Sequence, residues 1–253
     1  MNFIKGEVEG TVFEDQDKVK LVTHCKDRYE GEVVKEFLVY RLYNAITPSS
    51  FHVRMARVTW VDTSGENETI ERLAFFIEME EAVAERLGGE VIPDSTLADG
   101  LHPARVQATE AGRVNLFNYM VGNTDFSLYA STGEGLHNIV PVERADGRVI
   151  PVPYDFDWTG LVNAPYARPD ASLGIRRVTD RVYRGLCRPN LDYSALFQVF
   201  QSRRAEMMAL VETELLLDED DREDAVDYLN DFWETIESDR NAQRRIEGAC
   251  RPI

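Results

Sequence analysis

Two chain reversals within residues 122–161 constrain this chain more than any other feature. The first follows an apolar helical run, 114–121, and the second joins two short apolar runs, 137–142 and 148–153. Between those two runs lies an Ala-Asp-Gly reverse-turn signature at 145–147. These patterns predict an inner helix followed by a β-hairpin.

Polar side chains stand at the ends of these elements. Asp125 comes just after the helix, which is expected to end at Gly122. Asn138 enters the first strand of the hairpin, and Asp155 and Asp157 leave the second. Asp and Asn are common turn residues, so their position matters more than their type. Two carboxylates flanking an aromatic residue after an apolar strand are costly to bury without a cation, which favours a divalent-metal site over a simple turn.

Phosphoryl transfer needs few protein groups, and the chain offers a candidate for each. The reaction requires metal ions on the phosphates, a base at the acceptor hydroxyl and a lysine on the nucleotide. Lys18 and Lys20 lie in an alternating, strand-like stretch near the start, and Glu36 lies on the predicted helix that follows. Either lysine could contact the nucleotide, although Lys18 is expected to face solvent. The resulting order is lysine strand, glutamate helix, base loop and metal hairpin.

In this order, and in the segments KEFLVYRLYN, GNTD and PYDFD, the chain resembles the CotH-type atypical kinases. It resembles HipA-type and lipid kinases more distantly. The resemblance covers about residues 3–160 and implies a protein-kinase-like, two-lobed α+β fold. It assigns residues 1–80 to a small mixed N-lobe and 81–253 to a larger, mainly helical C-lobe of one domain.

The same resemblance implies roles for individual residues and two cofactors, ATP and Mg²⁺. Lys20 would contact the nucleotide phosphates, Glu36 would orient that lysine, and Asp125 would be the catalytic base. The metal ligands would be Asn138, Asp155 and Asp157. The nucleotide would also meet Lys18, Phe76, Ile77 and Glu78, with the backbone of the last three facing the adenine ring. The implied acceptor is a hydroxyl of a protein substrate.

Several alternatives stay open from the residues alone. Asn138 lies thirteen positions after Asp125 rather than about five, and little sequence precedes Lys20 to cover a nucleotide. A nucleotide-binding pseudokinase or an inactive fragment fits that observation. A metal-dependent phosphoesterase would use the aspartates with His137. A structural protein would instead bind a partner through its late acidic helix. Glu36 on its own is equally compatible with a surface charge.

The remaining elements follow from periodicity and turn residues. A hairpin turn is expected at 62–67, and an acidic run at 218–224 is expected to begin a helix, where carboxylates complement the helix dipole. Strands are expected at 8–13, 19–23, 51–61 and 73–78, and helices at 33–46, 81–87, 105–121, 193–217 and 219–238.

Composition excludes some classes of protein. The chain has 253 residues and a net charge of −17, which opposes non-specific binding to nucleic acid. The sequence contains no apolar run of ~20 residues that could span a membrane. Cys25, Cys187 and Cys250 are odd in number and lack metal-type spacing, which predicts neither a disulfide framework nor structural zinc. The chain as given is expected to be cytoplasmic, or exported if a leader has been lost. Its oligomeric state is left open.

Overall fold

The protein combines two small sheets with a set of helices. A computed structural model describes the following residues: 1–14, 18–24, 26, 29–93, 96–97, 101–129 and 136–252. Within them lie two three-stranded antiparallel sheets and six α-helices, so the predicted α+β class is confirmed. None of these helices has the length and apolar character needed to cross a membrane.

The first sheet contains one strand from near the start of the chain and two strands that form a β-hairpin. Strands β1 (Lys20–Thr23), β2 (Val53–Trp60) and β3 (Ile70–Ile77) lie in the order β1-β3-β2. The predicted turn between β2 and β3 is confirmed, because the Asp62 carboxylate accepts bonds from three backbone N–H groups that follow it. Lys20 stands opposite Ile77 in the register.

Helix α1 (Glu30–Ile46) forms the support under this sheet. Its middle is apolar on nearly every face, and such a helix belongs in the interior. Phe37 and Tyr40 pack against Phe75 of β3, with ring centroids 5.9 and 5.7 Å apart. The helix ends at Thr47, where the following proline disfavours further helix. Glu36 is therefore carried on a helix buried between the sheet and the rest of the chain.

The other helices cluster in the second half of the chain. They are α2 (Glu80–Arg86), α3 (Ala108–Val121), α4 (Tyr193–Glu212), α5 (Glu219–Glu237) and α6 (Asp239–Arg245). As predicted, α3 is almost wholly buried and ends at Gly122, whose φ of 66° suits a residue without a Cβ. Asp218 is the N-cap of α5 and accepts a bond from the Asp221 N–H at 2.8 Å, which confirms the capping interpretation.

The second sheet contains the predicted hairpin. Strands β5 (Ile139–Arg144) and β6 (Val149–Pro153) pair around the turn, and β4 (Gly89–Val91) adds a short outer strand in the order β4-β5-β6. Ile139 stands opposite Pro153. Because antiparallel pairing joins the start of β5 to the end of β6, Asn138 and Asp155 lie at the same end of the hairpin.

The strand predicted at 8–13 is wrong. The Thr11 hydroxyl donates to the Val8 carbonyl at 2.6 Å, and Gly10 has a φ of 73°, so this stretch turns repeatedly instead of extending. Other helix boundaries shift by a few residues. The largest shift is at α4, which stops at Glu212 rather than at 217.

The expectation that the chain lacks a disulfide is also wrong. Cys187 and Cys250 form one, with their Cα atoms 4.9 Å apart and 63 positions between them in the chain. An odd cysteine count does not prevent two of three from pairing, and the pairing depends on a long-range approach that spacing does not reveal. Cys25 and the Ser/Thr/Gly-rich loop at 130–135 lie outside the described residues.

Candidate functional site

The loop that carries Asp125 is shaped by two asparagines. The Asn123 side chain accepts the Asp125 backbone N–H at 2.8 Å, an Asx turn, and donates to the Asn118 side chain at 2.9 Å. Asn118 and Asn123 are buried, at 0% and 1% exposure. A buried amide pair at the end of α3 thus sets the direction in which the chain leaves the helix. The Asp125 side chain remains 37% exposed.

The hairpin brings two more groups to Asp125. The Asn138 side-chain amide donates to the Asp125 backbone carbonyl at 2.7 Å and to its carboxylate at 3.2 Å. His137 Nε2 lies 3.1 Å from the other carboxylate oxygen. The thirteen-residue separation therefore does not prevent contact between Asp125 and Asn138. His137 was considered only under the phosphoesterase alternative, and its position directly before Asn138 was the available signal.

Asp155 begins a turn directly after β6. Its backbone N–H donates to the Tyr40 hydroxyl of α1 at 2.9 Å. Asp155 and Asn138 both have positive φ, 60° and 52°, in the left-handed region where Asn and Asp are the usual non-glycine residues. Such conformations persist where the surroundings determine them, and they are frequent at functional sites.

Phe156 anchors the turn between the two aspartates. Its ring is fully buried, with centroids 4.8 Å from Tyr40 and 5.7 Å from Phe117. Burial of Phe156 therefore fixes the backbone that carries Asp155 and Asp157 on either side of it. Asp157 is in hydrogen-bond contact with Asp155 and Tyr166.

Glu36 of α1 contacts this turn through its carboxylate. Its carboxylate accepts the Phe156 backbone N–H at 3.4 Å, and the residue is only 5% exposed. Burial, and then the charges of Asp157 and Asp155, raise the pKa of Glu36 to about 8. The sequence suggested a helix position for Glu36 but not this burial, which comes from packing of α1 against the turn.

Lys20 is paired with a different carboxylate from the one suggested by the resemblance. Its ammonium binds Glu80 at the start of α2 and lies 5.8 Å from the centre of the Tyr154 ring. Burial raises the pKa of Asp155, and the charge of Lys20 lies near enough to offset a part of that rise. Lys18 is exposed and its backbone bridges to Asn2.

A cavity of about 530 Å³ opens between the first sheet, α1 and the turn after β6. Lys20 of β1, Glu36 of α1 and Asp155 after β6 all line it. Of the other residues predicted to contact the nucleotide, two line this cavity and two do not. Lys18 and Ile77 line the cavity. Phe76 instead packs edge-to-face against Phe13, with ring centroids 5.5 Å apart, and the Glu78 carboxylate binds Arg86 at 2.8 Å. The neighbouring Met79 lines the cavity as well.

Burial and neighbouring like charges both raise the pKa values of the aspartates in this turn, and burial contributes most. Burial raises the pKa of Asp155, and the Asp125 charge adds to that shift. Burial and the Asp155 charge raise the pKa of Asp157 to about 6. Carboxylates with raised pKa values beside one another are groups that a cation would stabilise in their charged form.

The donor set suits a hard cation that keeps other ligands. Over the described part of the chain, no group of three or more His, Cys, Asp or Glu side chains is arranged to hold a metal ion. The predicted set contains two carboxylates and one amide. Magnesium is commonly bound by one or two carboxylates, with waters and substrate phosphates completing its octahedron, so this set fits Mg²⁺ together with a phosphate ligand.

A tyrosine from α5 joins the two loops of the site. Gly160 N–H donates to the Gly122 carbonyl at 3.1 Å, and Leu161 N–H donates to the Val121 carbonyl at 3.0 Å. The Tyr228 hydroxyl fills the space beside both glycines, where a Cβ on either one would collide with it. The loop of Asp125 and the segment after Asp157 are therefore fixed to each other.

Comparison of the chain with family models, curated proteins and solved structures finds no match.

Proposed function

We propose that the protein is a magnesium- and ATP-dependent phosphotransferase that acts on a hydroxyl of a protein substrate. The observation that carries this proposal is the convergence of Lys20, Glu36 and Asp155 on one cavity, with Asp125 held beside Asn138 and near enough to Asp155 for its charge to raise the pKa of that carboxyl. A lysine, a helix-borne glutamate, a loop Asp-Asn pair and an Asp after a hairpin are the recurring parts of kinase-type phosphoryl transfer.

Each group has a chemical role in this proposal. Lys20 binds the nucleotide phosphates, and Asp155, Asp157 and Asn138 offer oxygen ligands to Mg²⁺. The metal supplies charge neutralisation on the phosphates when it is bound. Asp125 accepts the proton of the acceptor hydroxyl, and the contact to His137 orients its carboxylate. These are also the roles that the CotH-type resemblance gives to Lys20, Asp125, Asn138 and Asp155.

Nucleotide binding without transfer is the second candidate. In kinases the lysine-glutamate ion pair has to form for catalysis, but here Lys20 binds Glu80 while Glu36 accepts the Phe156 N–H. A protein that keeps this arrangement after binding ATP would hold the nucleotide without turning it over. In the enzyme, the nucleotide phosphates would release Lys20 from Glu80. In the pseudokinase, the Lys20–Glu80 pair would remain after ATP binds.

The disulfide bears on where the proposed activity occurs. Disulfides form and persist mainly in oxidising compartments. The Cys187–Cys250 bond therefore supports the exported alternative over the cytoplasmic one.

The first experiment measures thermal stability with ATP, with Mg²⁺ and with both. A ligand present at 100 times its Kd adds about 2.7 kcal/mol to the free energy of unfolding, and we expect such a gain only when both are present. Equal stability under all conditions would contradict the proposal, and a gain from metal alone would favour the phosphoesterase.

Transfer is tested next, with ATP labelled at the γ-phosphate and dephosphorylated casein as the acceptor. Asp125→Asn should reduce transfer by ~10²- to 10⁴-fold, the usual contribution of a general base, and should leave the stabilisation by Mg²⁺ and ATP in place. Stabilisation of wild type without transfer to casein or to the protein itself would support the pseudokinase. Full transfer by Asp125→Asn would remove Asp125 from the proposed mechanism.

A further inference from the structure

The guanidinium of Arg184 holds the Asp125 loop in addition to the contacts from the hairpin. Nη1 of Arg184 donates to the backbone carbonyls of Thr124 and Phe126, the second at 2.6 Å. These two carbonyls stand on either side of Asp125. The guanidinium carbon also lies 5.2 Å from the centre of the Phe126 ring. One charged group therefore fixes the backbone immediately before and after the proposed base.

The contacts of Arg184 complement those from the hairpin. Asn123 and Asn138 hold the N–H and the carbonyl of Asp125 itself through neutral amides. Arg184 adds hydrogen bonds from a charged donor, which are roughly twice as strong as neutral ones. Since its bonds to the loop go to main-chain carbonyls, it acts on Asp125 through the backbone and not on the reacting atoms.

The segment that carries Arg184 has little regular structure of its own. Residues 181–185 lie outside helices and strands, and Leu186 makes only an isolated parallel bridge to Arg251. Arg251 completes the connection: its Nε donates to the Arg184 carbonyl at 3.0 Å, its N–H donates to the Gly185 carbonyl at 2.8 Å, and its own carbonyl accepts the Cys187 N–H at 2.8 Å. The Cys187–Cys250 disulfide lies at the same place.

We propose that Arg184 is a positioning residue for the Asp125 loop, anchored by the disulfide-linked segment at 250–251. Its role in transfer depends on the proposed function, but its role in holding the loop does not. A restrained loop matters because catalysis by a general base depends on its placement, and a displacement of about 1 Å costs ~10²-fold in rate.

The test compares Arg184→Met with a matched variant, Arg222→Met. Met keeps most of the side-chain stem and removes the donors. Arg222 is a suitable control because its Nη1 also donates to two backbone carbonyls, those of Glu214 and Leu217 at 3.0 and 3.2 Å, but in the turn between α4 and α5. Arg184→Lys keeps a charged donor and serves as the conservative variant.

Hydrogen exchange of the loop amides gives a result that does not depend on activity. We expect the Asp125 and Ser127 amides to exchange at least ~10-fold faster in Arg184→Met, because local opening becomes cheaper. Exchange in α3 should remain at the wild-type rate, and Arg222→Met should leave the loop amides unchanged. Wild-type exchange at Asp125 and Ser127 in Arg184→Met would overturn the proposal. If Arg184→Met does not fold, Arg184→Lys is compared with wild type in its place. Its Asp125 and Ser127 amides should exchange faster than in wild type, by a smaller factor than the ~10-fold expected for Arg184→Met.

Kinetics separate positioning from a general loss of structure. For Arg184→Met we expect kcat for transfer to fall by ~10- to 100-fold, with KM for ATP within about twofold of wild type and partial recovery in Arg184→Lys. A rise in KM with unchanged kcat would contradict a positioning role. If wild type transfers no phosphate, the proposed function fails, while hydrogen exchange still decides whether Arg184 holds the loop.

The anchor is tested with Cys250→Ser. Because the bonds of Arg251 remain, we expect the loop amides to exchange faster than in wild type but more slowly than in Arg184→Met. Unchanged exchange in Cys250→Ser would exclude the disulfide as an anchor of Arg184.

Discussion

Two regions of this protein are rich in carboxylates in sequence, but their carboxylates lie in different surroundings in the structure. The run at 218–224 contains six carboxylates in seven residues, and the site at 155–157 has only two. The long run lies on the first turns of α5, where Asp218 caps the helix and Asp221 binds Lys35 at 3.0 Å. Its other carboxylates face solvent. The short motif flanks the buried Phe156, and its two aspartates, one exposed and one half-buried, lie close to the buried Glu36 and to Asp125.

The difference shows that carboxylates with raised pKa values around the buried Glu36, not the number of acidic residues, identify the candidate site. Exposed carboxylates at a helix start are stabilised by water and by the helix dipole. Carboxylates withdrawn from water beside one another have raised pKa values, and they gain from a cation. The following predictions test this contrast, from the largest expected effect to the smallest.

Phe156→Ala should remove the anchor of the short motif. Replacement of a fully buried Phe by Ala typically costs about 3–5 kcal/mol in the free energy of unfolding, measured here by urea denaturation. Phe76→Ala is the control, since Phe76 is only partly buried against Phe13, and should cost less. Equal costs for both variants would mean that Phe156 does not anchor the turn.

Asp155→Asn should abolish most of the stabilisation by Mg²⁺ and ATP, about 2.7 kcal/mol at 100 times the Kd in wild type. Asn tolerates the positive φ of this position, so the backbone is preserved. Asp220→Asn removes a carboxylate from the exposed run and should retain the full ligand effect in the same thermal measurement. A similar loss in both variants would show that ligand binding follows total charge.

Glu36 should make stability depend on pH in chelator-treated protein. Its folded-state pKa of about 8 exceeds the ordinary value of 4.5, so the folded state holds the proton more tightly than the unfolded state. This favourable contribution is complete below pH 4.5 and is lost as the pH rises to about 8, with a slope of at most ~1.4 kcal/mol per pH unit.

Glu36→Gln should flatten that part of the stability profile, because glutamine does not titrate. The raised pKa values of Asp155 and Asp157 leave a residual slope of the same sign. Denaturation at a series of pH values checks this, with Glu81→Gln on exposed α2 as the control. An unchanged slope in Glu36→Gln would contradict the burial of a titrating Glu36.

Asp218→Ala should have the smallest effect, about 1 kcal/mol of unfolding free energy for a lost N-cap. Asp218→Asn, which can still accept the Asp221 N–H, should remain near wild type. Neither change should alter stabilisation by Mg²⁺ and ATP. Any effect on the ligand response would connect the exposed run to the site and weaken the contrast.

Local patterns predicted the parts of the site whose geometry is set by neighbours in sequence. The hairpin at 139–153 and the end of α3 follow from apolar runs and turn residues, and they bring Asn138 to Asp125 and Asp155. The sequence does not reveal long-range partners. The pairing of β1 with β3, the Lys20–Glu80 ion pair and the disulfide all depend on how distant elements approach.

Two further errors or omissions have similar physical causes. The alternation at 8–13 resembles a strand, but the Thr11 hydroxyl competes locally for a backbone carbonyl and turns the chain. Tyr40 lies at helical spacing with other apolar side chains, a pattern that predicts a core residue. Its hydroxyl nevertheless meets the Asp155 N–H, since buried tyrosines usually find a polar partner.

The position of Tyr228 also sets an order of events during synthesis. Its hydroxyl fills the space beside Gly122 and Gly160, yet it lies far later in the chain than both loops that it joins. While the ribosome is still making α4, the aspartates have already been added to the chain, but the side chain that closes their loops together has not. The site is therefore among the last regions of a nascent chain to reach its final packing, and a stalled chain that ends before α5 would expose it.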